Sequence, residues 1–283
     1  MSVLYADRAL VVLNKAPGLV IQSHEFLDVL HDVKRRLRLA ELPLRVHRLD
    51  KPTTGCLALA RSKTHARELS TQFKQHIADK TYLAVVRGGL QSFGGRTKGT
   101  IRVPLQYDDG RASIVPLNAP KREDHREAVT DWELVASSSR LPLSLLRLNL
   151  RTGNKHQLRV HLTGGLQTPI LGDTIHSHKP PTDEIRAALW KLHPRPPEDR
   201  LFLHASALSF FRYRKAGPDR RFRVRVVAPV PNDFHQLCKE AQLPLTETEL
   251  RGGLFMQNKP YEEYEEVQSG RIASLKWVQT NQA

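Results

Sequence analysis

Cysteine is almost absent from this sequence of 283 residues, which contains only Cys56 and Cys238. Two cysteines build neither a disulfide framework nor a cysteine-based zinc site, and they fit a reducing compartment. No apolar run reaches the ~18 residues that a membrane-spanning helix needs, so we expect no membrane partner. Met1 is followed almost at once by what reads as a core strand, which leaves no room for a signal or transit peptide, so we expect none. We therefore expect a cytoplasmic or nuclear protein, with a mitochondrial location left open.

Acidic residues are scarce relative to basic ones. The chain has 29 Asp+Glu against 44 Lys+Arg, a formal net charge of +15. Five basic and eight acidic residues follow position 231, so the preceding part holds 39 basic and 21 acidic residues and a net charge of +18. Such an excess predicts a polyanionic partner, contacted by the body of the chain up to position 231.

Two signatures of nucleotide chemistry are missing. The phosphate-binding pattern G-x-x-x-x-G-K-[ST] does not occur, which argues against an ATP-driven enzyme. The triplet His125-Arg126-Glu127 matches half of a zinc deaminase signature, but the required pair of nearby cysteines is lacking. His156 and His161 stand five residues apart, on different faces of a helix, without acidic or cysteine ligands beside them. We therefore predict no metal site.

Local patterns predict a chain that mixes strands and helices. Alternating or β-branched apolar runs predict strands, over 9–14, 81–88, 128–135, 144–151, 201–210 and 222–226. Helical spacing predicts helices, over 25–39, from Ser62 to a close at Asp79-Lys80, over 158–164, over 183–191, and from Asn232 as N-cap. Residues 91–127 should be loops around one or two short strands.

The hydrophobic content of 40% is enough for a full core in a chain of this length. We predict one main domain over residues 1–231 and a C-terminal extension over 232–283. Five prolines between Ser177 and Arg200 predict an insertion loop at about 177–200. We expect a monomer.

The stretch from Arg45 to Leu59 places one acid among basic residues, as Arg45-Val46-His47-Arg48-Leu49-Asp50. Pro52 and Gly55 follow, which puts Asp50 on a turn between two extended pieces. Loops on a rigid sheet often carry chemistry. From the residues alone, Asp50 is either a reactive carboxylate or a structural turn residue paired with Arg48.

His47-Arg48-Leu49-Asp50-x-x-Thr53-Thr54-Gly55 closely resembles the signature HRLD-x-x-T-S-G of the RluA-type RNA pseudouridine synthases, with Thr54 in place of Ser. Other segments resemble the family in the same order, over 14–18, 80–88, 152–162, 169–173 and 201–210. One departure is Asn154, where the family has Arg, with Lys155 next to it. We expect no S4-like RNA-binding module before these segments.

The resemblance implies an α+β fold, the pseudouridine synthase catalytic fold. It consists of a long, mainly antiparallel mixed sheet with helices on its outer faces and an RNA-binding cleft across the middle. It implies an isomerase that converts a specific uridine of rRNA or tRNA to pseudouridine by base flipping, without a cofactor. The alternative is a catalytically silent RNA-binding or ribosome-assembly factor on the same fold.

The resemblance also implies roles for individual residues. Asp50 is the essential catalytic residue, as nucleophile or as a base that removes a sugar proton. Tyr82 stacks on the target base, and Arg159 forms an ion pair with Asp50. RNA contacts are implied for a further set, namely Arg48, His47, Thr54, Lys155, His156 and Gln157. Because a protein that only binds RNA has no use for a carboxylate facing phosphates, Asp50 favours the enzyme over the silent factor.

Overall fold

The structure, a computed structural model, describes residues 1–116, 118–120, 122–177, 179–213 and 221–261, and the backbone of 266–267 and 270–271. The strands in chain order are β1 (Ser2–Ala6), β2 (Leu10–Lys15), β3 (Leu44–Arg45), β4 (Thr54–Ala60), β5 (Asp79–Arg87), β6 (Lys98–Arg102), β7 (Leu105–Asp108), β8 (Arg111–Ile114), β9 (Val129–Ser137), β10 (Leu143–Leu150), β11 (Leu203–Tyr213), β12 (Arg221–Val227), β13 (Gly253–Met256), β14 (Lys259–Pro260), β15 (Glu266–Val267) and β16 (Gly270–Arg271). The α-helices are α1 (His24–Arg36), α2 (Lys63–Lys74), α3 (Gln157–Val160), α4 (Asp183–Trp190), α5 (Asn232–Glu240) and α6 (Glu247–Arg251). A 3₁₀ turn covers Leu90–Phe93, and a π-helical turn covers His161–Gly165.

The chain forms two compact units, each built from segments that are separate in the sequence. The first unit contains Met1–Lys80, Ala205–Val230 and Glu247–Ala283. The second unit contains Thr81–His204 and Pro231–Thr246. Residues after 231 thus belong to both units. The predicted division into 1–231 and 232–283 stays a prediction, and residues 262–265, 268–269 and 272–283 of that extension, with most of an acidic run at 261–266, lie outside the described residues.

The sheet of the first unit runs in the order β1-β2-β4-β11-β12-β13-β14, with β3 also paired to β4. β4 is buried at all seven positions, as expected for a strand with neighbours on both sides and apolar Cys56, Leu57, Ala58, Leu59 and Ala60. One core cluster gathers side chains from every central strand, including Leu10, Val12, Ala58, Leu208, Phe210, Phe222, Val224 and Val226. These strands form a rigid base for the loop that precedes β4.

Two serine-capped helices belong to the first unit. Ser23 Oγ accepts from the Phe26 N–H at 3.1 Å, and Ser62 Oγ accepts from the His65 N–H at 3.3 Å, so the predicted N-cap at Ser62 is confirmed. The predicted end of this helix at Asp79-Lys80 is wrong. The helix ends at Lys74 because His76 takes a left-handed φ of 56°, and Asp79 already begins β5.

The sheet of the second unit runs β5-β10-β9-β6, and β7-β8 form a separate hairpin. The segment predicted as loops around one or two short strands contains three, β6 to β8. The predicted helix in the proline-rich insertion is confirmed as α4. The predicted N-cap of α5 is wrong, because Pro231 holds that position and the Asn232 amide donates to the His193 carbonyl at 3.5 Å.

The predicted fold class is confirmed. Helices flank a mostly antiparallel sheet, in which β1 with β2 and β5 with β10 are antiparallel pairs. Among the described residues, no helix combines the length and apolar character that crossing a membrane requires.

Candidate active site

Asp50 lies in the first unit, on the loop between β3 and β4. The Thr53 N–H donates to the Asp50 carbonyl at 3.1 Å and closes a tight turn directly before β4. The Asp50 side chain is half-buried, and its neighbour Arg48 is exposed. The prediction that Asp50 occupies a turn between two extended pieces is confirmed.

A buried ammonium group is hydrogen-bonded to the backbone of this turn. Lys15, at the end of β2, is only 1% exposed, and its Nζ donates to the carbonyls of Ala16 at 3.0 Å, Lys51 at 2.8 Å and Thr53 at 2.9 Å. An ammonium has three N–H donors, so all three have a carbonyl acceptor. Two of these carbonyls flank the Asp50 turn. Lys15 therefore ties the turn to the sheet, a role that sequence reasoning missed although the Asn14–Gly18 motif contains this lysine.

Lys15→Met should destabilise the first unit and loosen the Asp50 turn. Methionine keeps the apolar stem but leaves the carbonyls of Ala16, Lys51 and Thr53 without their donor, at roughly 1–3 kcal/mol for each buried carbonyl left unpaired. We expect a loss of about 2 kcal/mol or more in the free energy of unfolding, measured in urea. The control is Lys51→Met, which changes an exposed side chain in the same turn. Equal stability of the two variants would show that Lys15 does not hold the turn.

The imidazole of His47 accepts a hydrogen bond from strand β4 of the first unit. The Ala58 N–H donates to His47 Nε2 at 2.8 Å, so this nitrogen is an acceptor and the ring is neutral. The ring stacks on Phe73 with 4.6 Å between centroids. Burial, and then the charge of Lys80, lowers the pKa of His47 to about 3. His47 therefore adds no positive charge beside Asp50 at neutral pH, and its predicted contact with RNA stays a prediction.

Thr54 and Gly55, the first residues of β4, are tightly packed. Thr54 is 1% exposed, and Gly55 has a φ of +106°, where an added Cβ would lie 2.2 Å from the Ala205 carbonyl oxygen. Only glycine allows the backbone of β11 to come this close. This contact sets the position of β4, and with it the Asp50 turn at its start.

Tyr82 and Arg159 belong to the second unit. Tyr82 is in β5, opposite Leu148 of β10, and is largely buried. Arg159, in α3, is buried and forms a two-point ion pair with Asp173: Nε is 3.0 Å from Oδ2, and Nη2 is 2.6 Å from Oδ1. Asp173 Oδ1 also accepts from the N–H groups of Ile175 and His176.

The charge of Asp173 is well stabilised. Burial alone would raise its pKa, but hydrogen bonds from Arg159, the charge of that guanidinium and the His176 N–H outweigh burial and lower the pKa below its ordinary value. Asp173 therefore stays ionised and fixes the plane of the Arg159 guanidinium. Sequence reasoning matched the Pro169–Asp173 segment but gave Asp173 no role.

Gln157 organises the loop before α3. It is 2% exposed, and its side-chain oxygen accepts from Thr152 Oγ1 at 2.8 Å and from the Asn154 N–H at 3.1 Å. Its amide nitrogen donates to the Val129 carbonyl and to Thr130 Oγ1, both at 3.1 Å. These contacts favour a positioning role for Gln157, and its predicted contact with RNA stays a prediction.

The neighbours of Gln157 also contact the protein. The Asn154 amide donates to the Glu127 carbonyl at 2.8 Å. At this position, where the family motif has a charged Arg, the side chain of this chain is neutral and fixes the loop. The exposed Lys155 donates to the Gly110 carbonyl at 2.9 Å in the β7-β8 hairpin. His156 has a left-handed φ of 56°, and its Nδ1 is 2.9 Å from His176 Nε2.

The structure thus brings together two sets of the predicted residues. In the first unit, His47, Arg48 and Asp50 lie on the loop before β4, and Thr54 is the first residue of that strand. In the second unit, Lys155 and His156 directly precede α3, and Gln157 and Arg159 lie in it. The predicted ion pair between Asp50 and Arg159 joins residues of different units and stays a prediction. Within the described residues, no group of three or more His, Cys, Asp or Glu side chains could hold a metal ion.

The chain is similar to proteins of known class. A family model described as RNA pseudouridylate synthase matches residues 9–163. The tRNA pseudouridine synthase C of Vibrio cholerae is 31% identical over 74% of this chain and 85% of its own length. The tRNA pseudouridine synthase C of Haemophilus influenzae is 30% identical over 85% of this chain and 97% of its own length.

Solved structures agree with these matches. The human RNA pseudouridylate synthase domain containing 4 superposes with a TM-score of 0.67 at 28% identity, over 86% of this chain and 94% of its own. The human RNA pseudouridylate synthase domain containing 1 gives a TM-score of 0.57 at 25% identity, over 81% of this chain and 83% of its own.

Proposed function

Because this chain belongs to the RNA pseudouridylate synthase family, whose members are isomerases that convert uridine to pseudouridine in RNA, we propose that it modifies a specific uridine of tRNA. The observation that carries the choice of tRNA is the likeness to relatives named for tRNA, which extends over most of both chains. A uridine in rRNA is the alternative substrate. A cytoplasmic location is part of the proposal, since these relatives are bacterial.

The proposed reaction rearranges atoms already present. The bond from N1 of uracil to the sugar carbon C1′ breaks, the base turns, and C5 bonds to the same carbon. C5 loses its proton and N1 ends protonated, so nothing is oxidised and no group is added. We propose that Asp50 acts at the sugar or the base, as nucleophile or as the base that removes a sugar proton. The turn held by Lys15 supports this role because it keeps one carboxylate at a fixed place.

Access to the target requires that the uridine leave the RNA helix, at a cost of a few kcal/mol. We propose that Arg48 fills the gap in the stack and that Tyr82 stacks on the flipped base. The exposure of Arg48, next to the half-buried Asp50, supports this role. Arg159 is proposed to pair with Asp50. A guanidinium has five N–H donors, and the two that Asp173 accepts leave others for a second carboxylate.

Arg48→Ala should slow modification of a uridine within a helix while binding to RNA stays nearly unchanged. The reason is that the variant loses the group that occupies the gap but leaves the other basic residues in place. We expect roughly a tenfold or larger fall in the single-turnover rate on base-paired RNA, and a smaller fall when the target uridine lies in an unpaired bulge.

Lys51→Ala is the control for Arg48→Ala, since it removes one exposed positive charge from the same loop. If both variants weaken binding of all RNAs alike and leave the rate unchanged, Arg48 is an ordinary phosphate contact.

Two measurements test the substrate. Chemical mapping of pseudouridine in cells with and without this protein should reveal one missing site or a small set in tRNA. Purified protein should then modify that tRNA made by transcription. A missing site in rRNA with intact tRNA would replace the tRNA proposal by its alternative, and no missing site would contradict both.

A further inference from the structure

The outer face of β12 carries three arginines at alternate positions. Arg221 and Arg225 are exposed and Arg223 is half-buried, whereas the intervening Phe222 and Val224 are buried. Alternate residues of a strand lie on the same side, about 6.6 Å apart. The three side chains, here called the arginine row, therefore form a line of positive charge in the first unit.

Aromatic rings lie under the arginine row. The guanidinium carbon of Arg221 is 3.6 Å from the ring centroid of Phe211, and that of Arg223 is 4.8 Å from the same ring. The guanidinium of Arg225 is 5.6 Å from the centroid of Phe255. Stacking on a ring orients a planar guanidinium without neutralising it, and leaves N–H edges available to an acceptor.

Among the residues that the structure describes, the arginine row forms one ion pair, with Asp79. Asp79 Oδ2 is 2.5 Å from Arg223 Nη1, with the two side chains 49% and 32% exposed. Within the described part of the chain, this pair compensates one of the three charges and leaves the row with a net positive charge. Exposed ion pairs and exposed cation–π contacts each contribute little to stability, so stability is a weak reason for three arginines here.

The row leads away from the Asp50 turn. Gly55, just after that turn, is in contact with Ala205 at the start of β11. Arg225 pairs with Ser209 and Arg221 pairs with Tyr213. Ser209 and Tyr213 are four and eight residues beyond Ala205, which is about 13 and 26 Å along the strand. The row thus begins about 13 Å along β11 from its contact with Gly55 and extends farther from the Asp50 turn.

We propose that the arginine row binds the phosphate backbone of the substrate RNA several nucleotides away from the target uridine. The inference rests on the proposed function for the identity of the substrate. RNA fits better than an acidic protein because regularly spaced, oriented guanidiniums match a repeating series of phosphates, which Arg can contact at two points. Such contacts position the RNA and raise its affinity without reading its sequence.

The test is the triple variant Arg221→Gln/Arg223→Gln/Arg225→Gln on a full-length RNA that the wild type modifies. We expect KM to rise about tenfold while kcat stays within about twofold. The slope of log Kd against log salt should fall by roughly 2, from about 0.7–0.9 for each of three phosphate contacts. As the RNA is shortened to the smallest stem-loop that the wild type still modifies, the difference in KM should disappear.

The matched control is Lys63→Gln/Arg67→Gln/Lys74→Gln, which removes three exposed charges from α2 in the same unit. It should leave KM and the salt slope close to those of the wild type. Replacing the three arginines of the row by Lys should keep most of the salt slope, because charge is retained. The single variants Arg221→Gln and Arg225→Gln, both at exposed positions, should each lower the slope by somewhat under 1.

A row variant with the KM and salt slope of the wild type on full-length RNA, or with the same change as the α2 control, would overturn the proposal. Failure of the proposed function looks different, since the wild type would then form no pseudouridine in tRNA. In that case the row is tested in the same way on whichever RNA the wild type modifies.

Discussion

Asp50→Asn should abolish pseudouridine formation while RNA binding persists or becomes tighter. The amide has the shape of the carboxylate but is neither a nucleophile nor a base at neutral pH. Removal of a proton-transfer group or nucleophile typically slows a reaction by 10²–10⁴-fold, so we expect a loss of about 10³-fold or more in single-turnover rate. Binding should not weaken, because the change removes a negative charge that repels phosphate.

The control for Asp50→Asn is Asp28→Asn, which makes the same change at an exposed position in α1 of the same unit. It should alter neither rate nor affinity. Full turnover by Asp50→Asn would contradict the catalytic assignment of this residue and leave the structural turn residue as the account of Asp50. Loss of both turnover and folding would instead show that the carboxylate mainly holds the turn.

The second large effect is expected at the buried pair of Arg159 and Asp173. Removal of one partner leaves the other charge buried without compensation, so Asp173→Asn and Arg159→Ala should each cost about 3–5 kcal/mol of unfolding free energy. Arg159→Ala should also remove most of the activity. Arg159→Lys should keep part of it, because the charge survives while the two-point geometry is lost.

The stability of this pair should depend on pH in a defined direction. The pKa of Asp173 is lower in the folded protein than its ordinary value of about 3.9. The contribution of Asp173 to the free energy of unfolding is therefore fully present above about pH 4 to 5. It is lost as the pH falls from the ordinary pKa toward the lowered pKa of the folded protein. Asp173→Asn should remove this part of the acid dependence, as measured by urea unfolding at a series of pH values.

The matched control is Glu133→Gln, which breaks an exposed pair of the same unit, Arg147 with Glu133 at 2.9 Å. That change should cost less than about 1 kcal/mol. An equally small effect for Asp173→Asn would show that the buried pair does not support the second unit. A stable Asp173→Asn protein with wild-type kcat and KM would show that Arg159 needs no anchor to act.

Local sequence patterns determined several of the helices and strands and the turn that carries Asp50. The spacing of apolar residues predicted α1, α2 and six of the strands, namely β2, β5 and β9 to β12, because an element that buries one face repeats its apolar residues with the period of a helix or of a strand. The serine at 62 predicted a helix start, and Pro52 with Gly55 predicted the turn that carries Asp50. The resemblance around Asp50 predicted the family that the comparisons then showed. The errors at Asp79 and Asn232 are both at element ends, where turn geometry outweighs propensity.

Only the tertiary structure decided which polar groups meet. Lys15 and the carbonyls of Lys51 and Thr53 are more than 30 residues apart, and Gln157 reaches Val129 and Thr130. No local pattern encodes such partners, because a buried donor takes whichever acceptor the packed strands bring within about 3 Å. The sequence by itself thus predicted the turn that carries Asp50 and the family. Folding decided that a buried lysine holds the turn and that Asp173 holds Arg159, because these contacts exist only once the strands are packed.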